Sequence, residues 1–284
     1  MIVGTGERGA VTQPQPAPGG FDPAVANVAR MYDYYLGGKE NFAADREAAG
    51  QALRAVPQLA QLARENRKFL GRVVRFCAEA GVRQFIDIGA GLPTQENTHE
   101  VARRYAAGSR VAYVDADDIA VLHGQALLAT DAQTRVIRAD LRRPDEILGN
   151  DTLGSLIDLG KPVAILLLAI LHFIPEQDEP ARIVAELRDA MAPGSYLAMS
   201  HVEMFPAHAV GHQSRSEEAR MLGRAYQADR VGPARGRAEI ARFFEGLELV
   251  DPGLVEIWDW RPDGETVISA SDVMTLVGGV GRKR

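Results

Sequence analysis

The chain has 284 residues, 46% hydrophobic and 25% charged, which is typical of a globular protein. Its net charge of −6 lacks the basic excess of nucleic-acid-binding proteins, so nucleic acid is not an expected partner. The longest apolar run, Pro162 to Leu171, is too short to cross a bilayer, and no membrane contact is expected. The single cysteine, Cys77, excludes an internal disulfide and is typical of a reducing cytoplasm, the expected location.

The N-terminal part of the sequence predicts a leader followed by helices. Residues 1–20 are rich in glycine, proline and glutamine, so we expect a disordered leader. Asp22 and Pro23 have the residue types of an N-cap and first helical position, and predict the start of order. Three helical segments are predicted. The first runs from Asp22 to Gly37-Gly38, the second covers 42–53, and the third runs from Pro57 to Gly81. Together they predict a helical cap over residues 21–81.

After Gly81 short apolar strands alternate with helical patterns. The predicted strands are Gln84–Ile88, Arg110–Val114, Arg135–Ala139, Val163–Leu171 and Tyr196–His201. Strict alternation of this kind is typical of parallel βαβ units. The apolar run at 163–171 predicts a central strand that is buried on both faces.

The C-terminal part departs from this alternation. Residues 203–236 are polar and predict an insertion, with a helix over 214–229. Strands are predicted near 247–250, 254–260 and 273–278, and the last two can pair antiparallel at the sheet edge. We therefore expect one Rossmann-like α/β domain over 82–284, with a mostly parallel seven-stranded sheet, an antiparallel edge strand and the N-terminal cap.

A glycine-containing motif covers the end of the first predicted strand and the loop that follows it. It reads Asp87-Ile88-Gly89-Ala90-Gly91, and glycine there lets the backbone approach a ligand closely. A side chain at Gly89 is expected to occupy that ligand's space. A dinucleotide fingerprint requires a third glycine, and Thr94 stands at its position. The carboxylate of Asp87 would repel a pyrophosphate but tolerates an amino group or a sulfonium.

Two more acids follow predicted strands. Asp115 comes directly after the second strand, where a carboxylate can accept hydrogen bonds from ribose hydroxyls, and Asp140 follows the third. Singly, each acid is more typical of a strand end or a helix cap. Three acids at successive strand ends favour a ligand site at the carboxyl edge of the sheet.

Several further segments carry a family resemblance. The loop resembles motif I of Rossmann-like methyltransferases, and the chain over about 22–281 resembles the S-adenosyl methyltransferase family first catalogued as a domain of unknown function. The segments that carry this resemblance are 27–42, 65–70, 87–94, 97–102, 139–142, 171–173, 192–197, 242–247 and 251–255. The resemblance implies a class I methyltransferase fold and S-adenosyl-L-methionine as cofactor.

The resemblance also implies roles for the acids and their neighbours. Asp87, Gly89 and Gly91 would serve the methionine end of the cofactor. Asp115 and Ala116 would face the ribose, and Asp140 and Leu141 the adenine.

Other candidates come from residue type and position. Arg67, with Lys39 second, is the candidate partner of the cofactor carboxylate, although Arg67 also fits a solvated helix face. Tyr34 can face the sulfonium or close the pocket, whereas Tyr32 and Tyr35 fit ordinary core packing. His172 ends the central strand and, with Tyr34, is the catalytic candidate; a buried structural histidine is the alternative. The histidines near His201 show no metal-ligand spacing, so no metal is expected.

The sequence therefore predicts a methyltransferase acting on an unidentified small-molecule acceptor, with the cap and residues 203–236 forming the acceptor pocket. Two alternatives stay open: a non-catalytic regulatory protein that binds S-adenosylmethionine or S-adenosylhomocysteine, and an NAD-dependent oxidoreductase. Whether the protein is a homodimer also stays open.

Overall fold

The computed structural model describes residues 22–93, 96–128, 131–204, 221–226, 235–264, 266, 268 and 274–284. The expected leader at 1–20 lies outside these residues, and so does most of the predicted 203–236 insertion with its helix over 214–229. Among the described helices, none is long and apolar enough to cross a membrane.

The described chain begins with three helices, and strands and further helices follow. Besides a helical turn within 221–226, the α-helices are α1 (Val28–Tyr35), α2 (Ala43–Ala55), α3 (Leu59–Glu79), α4 (Thr98–Tyr105), α5 (Asp118–Leu128), α6 (Pro144–Leu148), α7 (Asp151–Leu156), α8 (Pro180–Ala190) and α9 (Arg237–Ala241). The strands are β1 (Gln84–Ile88), β2 (Arg110–Asp115), β3 (Thr134–Arg138), β4 (Ala164–Leu168), β5 (Tyr196–Met204), β6 (Glu248–Leu249), β7 (Val255–Glu256) and β8 (Met274–Arg282).

The described strands form one mostly parallel sheet in the order β3-β2-β1-β4-β5-β8-β6, with β7 also pairing with β8. Strands β1 to β5 are parallel, and β8 runs antiparallel to β5. The expected mostly parallel fold is confirmed. The expected seven strands become eight in the described chain, because two-residue strands β6 and β7 both lie beyond β8.

Side chains on the parallel strands alternate between two apolar layers. In the central strand β4, Ala164, Leu166 and Leu168 pack with the N-terminal helices, whereas Ile165 and Leu167 pack with α6 to α9. This period of two is the pleat of a strand whose faces are both buried, as predicted for it. The strand itself ends at Leu168, and residues 171–173 form a 3₁₀ turn.

Helix α3 packs along the first of these layers. Its residues Leu62, Phe69 and Val73 are buried and form one apolar face of the helix. A Cβ at Gly278 in β8 would lie 2.7 Å from the Phe69 ring, so only glycine lets strand and helix approach this closely.

The start of α1 differs from the sequence-based expectation. Asn27 is its N-cap, and its side chain accepts hydrogen bonds from the amides of Ala29 and Arg30. Asp22 instead accepts from the Ala24 amide within a preceding turn. The prediction of Asp22 as the cap was wrong because Asn27 satisfies the first free amides of the helix.

The last two strands pair as expected, but β7 is shorter than predicted and β8 is longer. Val255 pairs antiparallel with Gly278, which confirms the pairing of β7 with β8. Residues 257–259 form a 3₁₀ turn rather than continuing the predicted strand. The carbonyls of Ile257 and Trp260 accept hydrogen bonds from the Arg72 guanidinium, which stabilises this bend.

Candidate active site

The ends of β1 and β2 are joined through one carboxylate. Asp115 accepts a hydrogen bond from the Gly91 amide at 2.7 Å and another from the Asp117 amide at 2.9 Å. The Gly89 amide donates to the Val114 carbonyl at 2.8 Å. The loop after β1 is therefore held against the tip of β2, where the parallel strands end.

Asp87 lies inside this edge. It is 5% exposed, and the Thr98 hydroxyl at the start of α4 donates to its carboxylate at 2.6 Å. Burial raises the pKa of Asp87, against the lowering effects of Thr98 and the Arg67 charge. Burial likewise raises the pKa of Asp115. A cationic ligand at this edge would relieve both desolvated carboxylates.

The two loop glycines adopt left-handed backbone conformations, with φ of +74° at Gly89 and +65° at Gly91. A Cβ on Gly89 would lie 2.7 Å from Cγ1 of Ile170, which follows β4. The close neighbour of Gly89 is therefore a protein side chain. We expected a side chain at Gly89 to occupy the space of a ligand. That reason was wrong, because the side chain would instead collide with Ile170.

Helix α1 lies over the same edge. The Asn27 amide group donates to the Asp117 carboxylate at 2.7 Å, beside Asp115. The Cβ of Ala29 is 4.0 Å from where a Cβ on Gly91 would stand. The beginning of α1 thus contacts both the glycine loop and the tip of β2, which are far away in sequence.

Arg67 on α3 reaches the loop from the other side. Its guanidinium donates to the Glu96 carbonyl at 3.0 Å, and its charge acts on Asp87, Tyr32 and Tyr113. Arg67 is therefore at the edge rather than on a fully solvated helix face. A guanidinium beside the glycine loop can bind a ligand carboxylate.

Lys39 and Tyr34 are placed differently. Lys39 is exposed on the turn after α1, which Asp33 holds by accepting from the Glu40 amide and the Asn41 side chain. Among the described contacts, none joins Lys39 to Asp87 or Asp115. Tyr34 is half-buried, with its ring centroid 6.5 Å from that of Tyr35.

Asp140 lies two residues beyond β3 and is already ion-paired. Its carboxylate accepts from the Arg142 amide at 2.9 Å and from the Arg142 guanidinium at 2.5 Å. Burial alone would raise the pKa of Asp140, but the hydrogen bonds from Arg142 lower it overall. Leu141 beside it is buried, whereas Ala116 is exposed at the tip of β2.

His172 lies in the 3₁₀ turn after β4. Its Nδ1 is buried without a hydrogen-bond partner among the described residues. Its ring lies 4.3 Å from that of Phe173 and 5.6 Å from that of His201, centroid to centroid. Burial, with the neighbouring His201 and Arg235, lowers the pKa of His172 well below its usual range. His172 is therefore neutral at physiological pH.

Arg235 organises this region and was not predicted from the sequence. It is 3% exposed and donates to the carbonyls of Leu171 and Ile174 and to the Glu176 carboxylate. Its Nη1 also lies 3.2 Å from Nε2 of His201. Since His201 Nδ1 bonds the Val202 carbonyl, a neutral His201 donates at Nδ1 and accepts at Nε2. Burial lowers the pKa of His201 to about 4.

A second buried network also escaped the sequence analysis. The Asn66 side-chain oxygen accepts from the Ser200 hydroxyl at 2.6 Å, and its amide group donates to the Tyr32 hydroxyl at 3.1 Å. Ser200 in turn accepts from the amide of Ala169. These contacts connect α1, α3, β5 and the end of β4. Asn66 at the centre of an amphipathic helix was the available sequence signal, but its partners are remote in the chain.

Taken together, the carboxyl edge offers one buried and one partly buried carboxylate, a glycine loop, an arginine and a neutral histidine. Such a set suits a cationic ligand with hydroxyl and carboxylate groups. The bond between Arg235 and His201 Nε2 opposes a metal at this histidine, because the guanidinium takes the lone pair that a cation needs.

Comparisons with known proteins agree with this geometry. The family model described as S-adenosyl methyltransferase matches residues 14–284. A crystal structure of a putative methyltransferase from Thermobifida fusca YX is similar, with 42% identity and a TM-score of 0.83, covering 94% of this chain and 98% of that one. A DUF574 family protein from Streptomyces avermitilis MA-4680 is similar with 40% identity and a TM-score of 0.83, covering 93% and 99%. A search of curated proteins found no match. The chain belongs to the S-adenosyl methyltransferase family and is an S-adenosylmethionine-dependent enzyme.

Proposed function

We propose that this methyltransferase holds its cofactor across the carboxyl edge of β1, β2 and β3. The hydrogen bond from the Gly91 amide to Asp115 carries the proposal, because it brings the glycine loop and the second acid to one place. Both oxygens of Asp115 accept from backbone amides, and a carboxylate has about four acceptor positions, so one can accept from a ribose hydroxyl. Ala116 is exposed beside it and would contact the sugar.

The methionine end of the cofactor would lie at Asp87, Gly89 and Gly91. When bound, S-adenosylmethionine supplies a methyl group activated by positively charged sulfur. Asp87 would accept from the cofactor's amino group, since its carboxylate is buried and has a single hydrogen bond in the described chain, from Thr98. Arg67 would bind the cofactor carboxylate from α3, with Lys39 as the weaker candidate on its exposed turn.

The adenine would contact Asp140 and Leu141. Leu141 is buried and offers an apolar surface. Asp140 would accept from the adenine amino group while keeping Arg142, because a carboxylate has about four acceptor positions. The lowered pKa of Asp140 keeps it ionised for this role.

The acceptor pocket would form between the helical cap, residues 21–81, and the insertion at 203–236. Supporting contacts come from Tyr226, whose hydroxyl is 2.9 Å from that of Tyr35 on α1. The Tyr226 ring centroid also lies 5.9 Å from that of Phe173, beside His172. Aromatic side chains around this position favour a small organic acceptor over a macromolecule.

His172 would face the acceptor, with Tyr34 at the pocket rim. Its buried Nδ1 lacks a partner in the described chain, and an acceptor hydroxyl or amine would supply one. A neutral imidazole can take the acceptor's proton as the methyl group is transferred. Alignment of the acceptor and exclusion of water contribute most, since positioning is worth roughly 7–11 kcal/mol in such reactions.

We further propose a cytoplasmic location. Cys77 is buried and chemically quiet, because burial raises the pKa of its thiol. A protein with one such cysteine needs no oxidising compartment.

Calorimetric titration with S-adenosylmethionine, S-adenosylhomocysteine and NAD tests the cofactor site. We expect the two sulfur nucleosides to bind and NAD not to bind. Asp115→Ala should lose affinity for both nucleosides, whereas Asp158→Ala, beyond the opposite end of β1, should not. Equal affinity in wild type and Asp115→Ala would exclude Asp115 from the site.

Transfer of a labelled methyl group to a pool of small metabolites tests the acceptor class. We expect a labelled small product in wild type and much less in His172→Phe, which keeps the ring but removes both nitrogens. Transfer only to protein or nucleic acid in the same extract would contradict a small-molecule acceptor.

A further inference from the structure

A cleft of about 290 Å³ lies between α3, α4 and residues 262–264 and 266. Four cationic side chains, Lys68, Arg72, Arg75 and Arg104, line it, against two carboxylates. Glu65, whose side chain is 5% exposed, pairs with Lys68 at 2.7 Å, so the cleft keeps a formal excess of one positive charge on a chain whose net charge is −6. Such a local reversal of charge needs a physical explanation.

The two carboxylates each neutralise one exposed arginine. Arg75 lies 2.5 Å from the Asp263 carboxylate, and Arg104 lies 3.0 Å from the Glu96 carboxylate. These pairs are at the rim, where the side chains are between 31% and 60% exposed. Rim pairs of this kind are weak and can rearrange around a ligand.

Arg72 lies deeper and differs from them. It is 5% exposed, and its guanidinium donates to the carbonyls of Trp260 at 2.8 Å and Ile257 at 2.6 Å. Within the described chain no carboxylate lies within 4 Å of it. Burial lowers the pKa of Arg72, which reflects the cost of this desolvated charge. The charges of Asp263 and Glu65 offset part of this cost from a distance, and an anion in the adjoining cleft would offset more of it.

From these contacts we infer that the cleft binds a phosphate-type oxyanion, either inorganic phosphate or the phosphate of a small metabolite. Arg72, Arg75 and Arg104 bring three guanidinium groups to the lining of this one cleft. Guanidinium groups bind such oxyanions through paired hydrogen bonds. Lys68 and the hydroxyls of Tyr105 and Thr266 line the same space and add donors. This inference is independent of the roles proposed for Asp87 and Asp115.

The test is calorimetric titration of the full chain with inorganic phosphate and with glycerol 3-phosphate, at constant ionic strength set by chloride. Saturable binding of either ligand is expected. Tighter binding of glycerol 3-phosphate would identify a phosphate monoester as the natural class, and tighter binding of inorganic phosphate would identify the free ion. Absence of saturation with both ligands would overturn the inference.

Variants locate the site. Arg75→Gln and Lys68→Gln should each weaken phosphate binding by about tenfold, as expected for loss of a charge-assisted hydrogen bond. Arg182→Gln is the matched control, because Arg182 is an exposed arginine paired with Glu179 and Glu186 on α8. Arg72 is left unchanged, because its loss would leave two carbonyls without hydrogen-bond donors and affect folding.

Two outcomes would contradict the location. Equal phosphate affinity in wild type, Arg75→Gln and Lys68→Gln would place the ion elsewhere. Displacement of phosphate by S-adenosylhomocysteine would place it in the cofactor site. If Arg75→Gln or Lys68→Gln fails to fold, Arg104→Gln replaces it, because the pair of Arg104 with Glu96 is exposed on both sides.

Discussion

The carboxylate of Asp115 and the amide of Gly91 are 2.7 Å apart, although a whole helix and strand separate them in sequence. This bond makes the tip of β2 part of the glycine loop. The loop and the second acid therefore act as one unit, and a change in either is expected to disturb both the shape of the loop and the binding of ribose.

Asp115→Ala should weaken binding of S-adenosylhomocysteine by about 1–3 kcal/mol, because hydrogen bonds to buried polar groups are lost. Asp115→Asn should lose less, since its amide oxygen can still accept from Gly91 or Asp117. Calorimetry measures both affinities. A larger loss in the asparagine variant than in the alanine variant would contradict this account.

Gly89→Ala should destabilise the fold by about 1–3 kcal/mol more than Gly37→Ala. Both glycines have positive φ, +74° and +79°, so the backbone strain of the two variants is matched. Only at Gly89 would the new methyl group meet another side chain, Ile170, whereas Gly37 has open space within 4 Å. Chemical unfolding measures the difference. Adding Ile170→Ala to Gly89→Ala removes Cγ1 and Cδ1 and should recover part of the lost stability. Equal losses of stability in Gly89→Ala and Gly37→Ala would refute the steric argument.

Asp87→Asn should stabilise the ligand-free enzyme at neutral pH while weakening its affinity for S-adenosylmethionine. Burial raises the pKa of Asp87, so its contribution to stability is complete below pH 3.8 and is lost as the pH rises through the raised pKa. The charged carboxylate therefore costs free energy at pH 7, and asparagine removes that cost but still accepts from Thr98.

Thermal unfolding as a function of pH tests this sign. The melting temperature of Asp87→Asn should exceed that of wild type at pH 7, and the gap should narrow toward pH 4. A variant that is less stable than wild type by a constant amount at every pH would show that the carboxylate is stabilising.

His201 should make the enzyme less stable in acid. Its pKa of about 4 is below the ordinary 6.5, so its contribution to stability is present above pH 6.5 and is lost as the pH falls toward 4. The full loss is about 3 kcal/mol, converted from the shift in pKa. His201→Gln keeps an acceptor for Arg235 and does not titrate. The unfolding free energy of wild type relative to His201→Gln should fall between pH 6.5 and 4; a constant difference would contradict a neutral His201.

Arg235→Met should raise the pKa of His201 and destabilise the turn that carries His172. The positive charge of Arg235 lies beside His201, and its guanidinium satisfies the carbonyls of Leu171 and Ile174. Each carbonyl left without a donor costs about 1–3 kcal/mol. Histidine NMR titration measures the pKa. Arg237→Met is the control, because Arg237 pairs with Glu203 and Glu256 and does not contact either histidine. A His201 pKa that does not change in Arg235→Met would contradict the coupling.

Much of the site could be predicted because its signals are local. Asp87 and Asp115 lie at the ends of apolar strands, Gly89 and Gly91 directly follow one, and parallel strands end at one edge of a sheet. The role of Lys39 stays a prediction, since a double-glycine turn does not indicate where the next side chain points. Arg235 follows a polar segment with no periodic pattern, and nothing in that segment indicates four carbonyl, carboxylate and imidazole partners.

The sequence by itself determined the alternation of strands and helices, the loop with its acids and the membership of the family, because each is written in local spacing and residue type. Only the tertiary structure decided that Asn27 begins α1 beside Asp117, that Ile170 lies against Gly89 and that Arg235 contacts both Glu176 and His201. These contacts join residues far apart in the chain. Their energies depend on distance and burial, which arise only when the sheet and the helices pack.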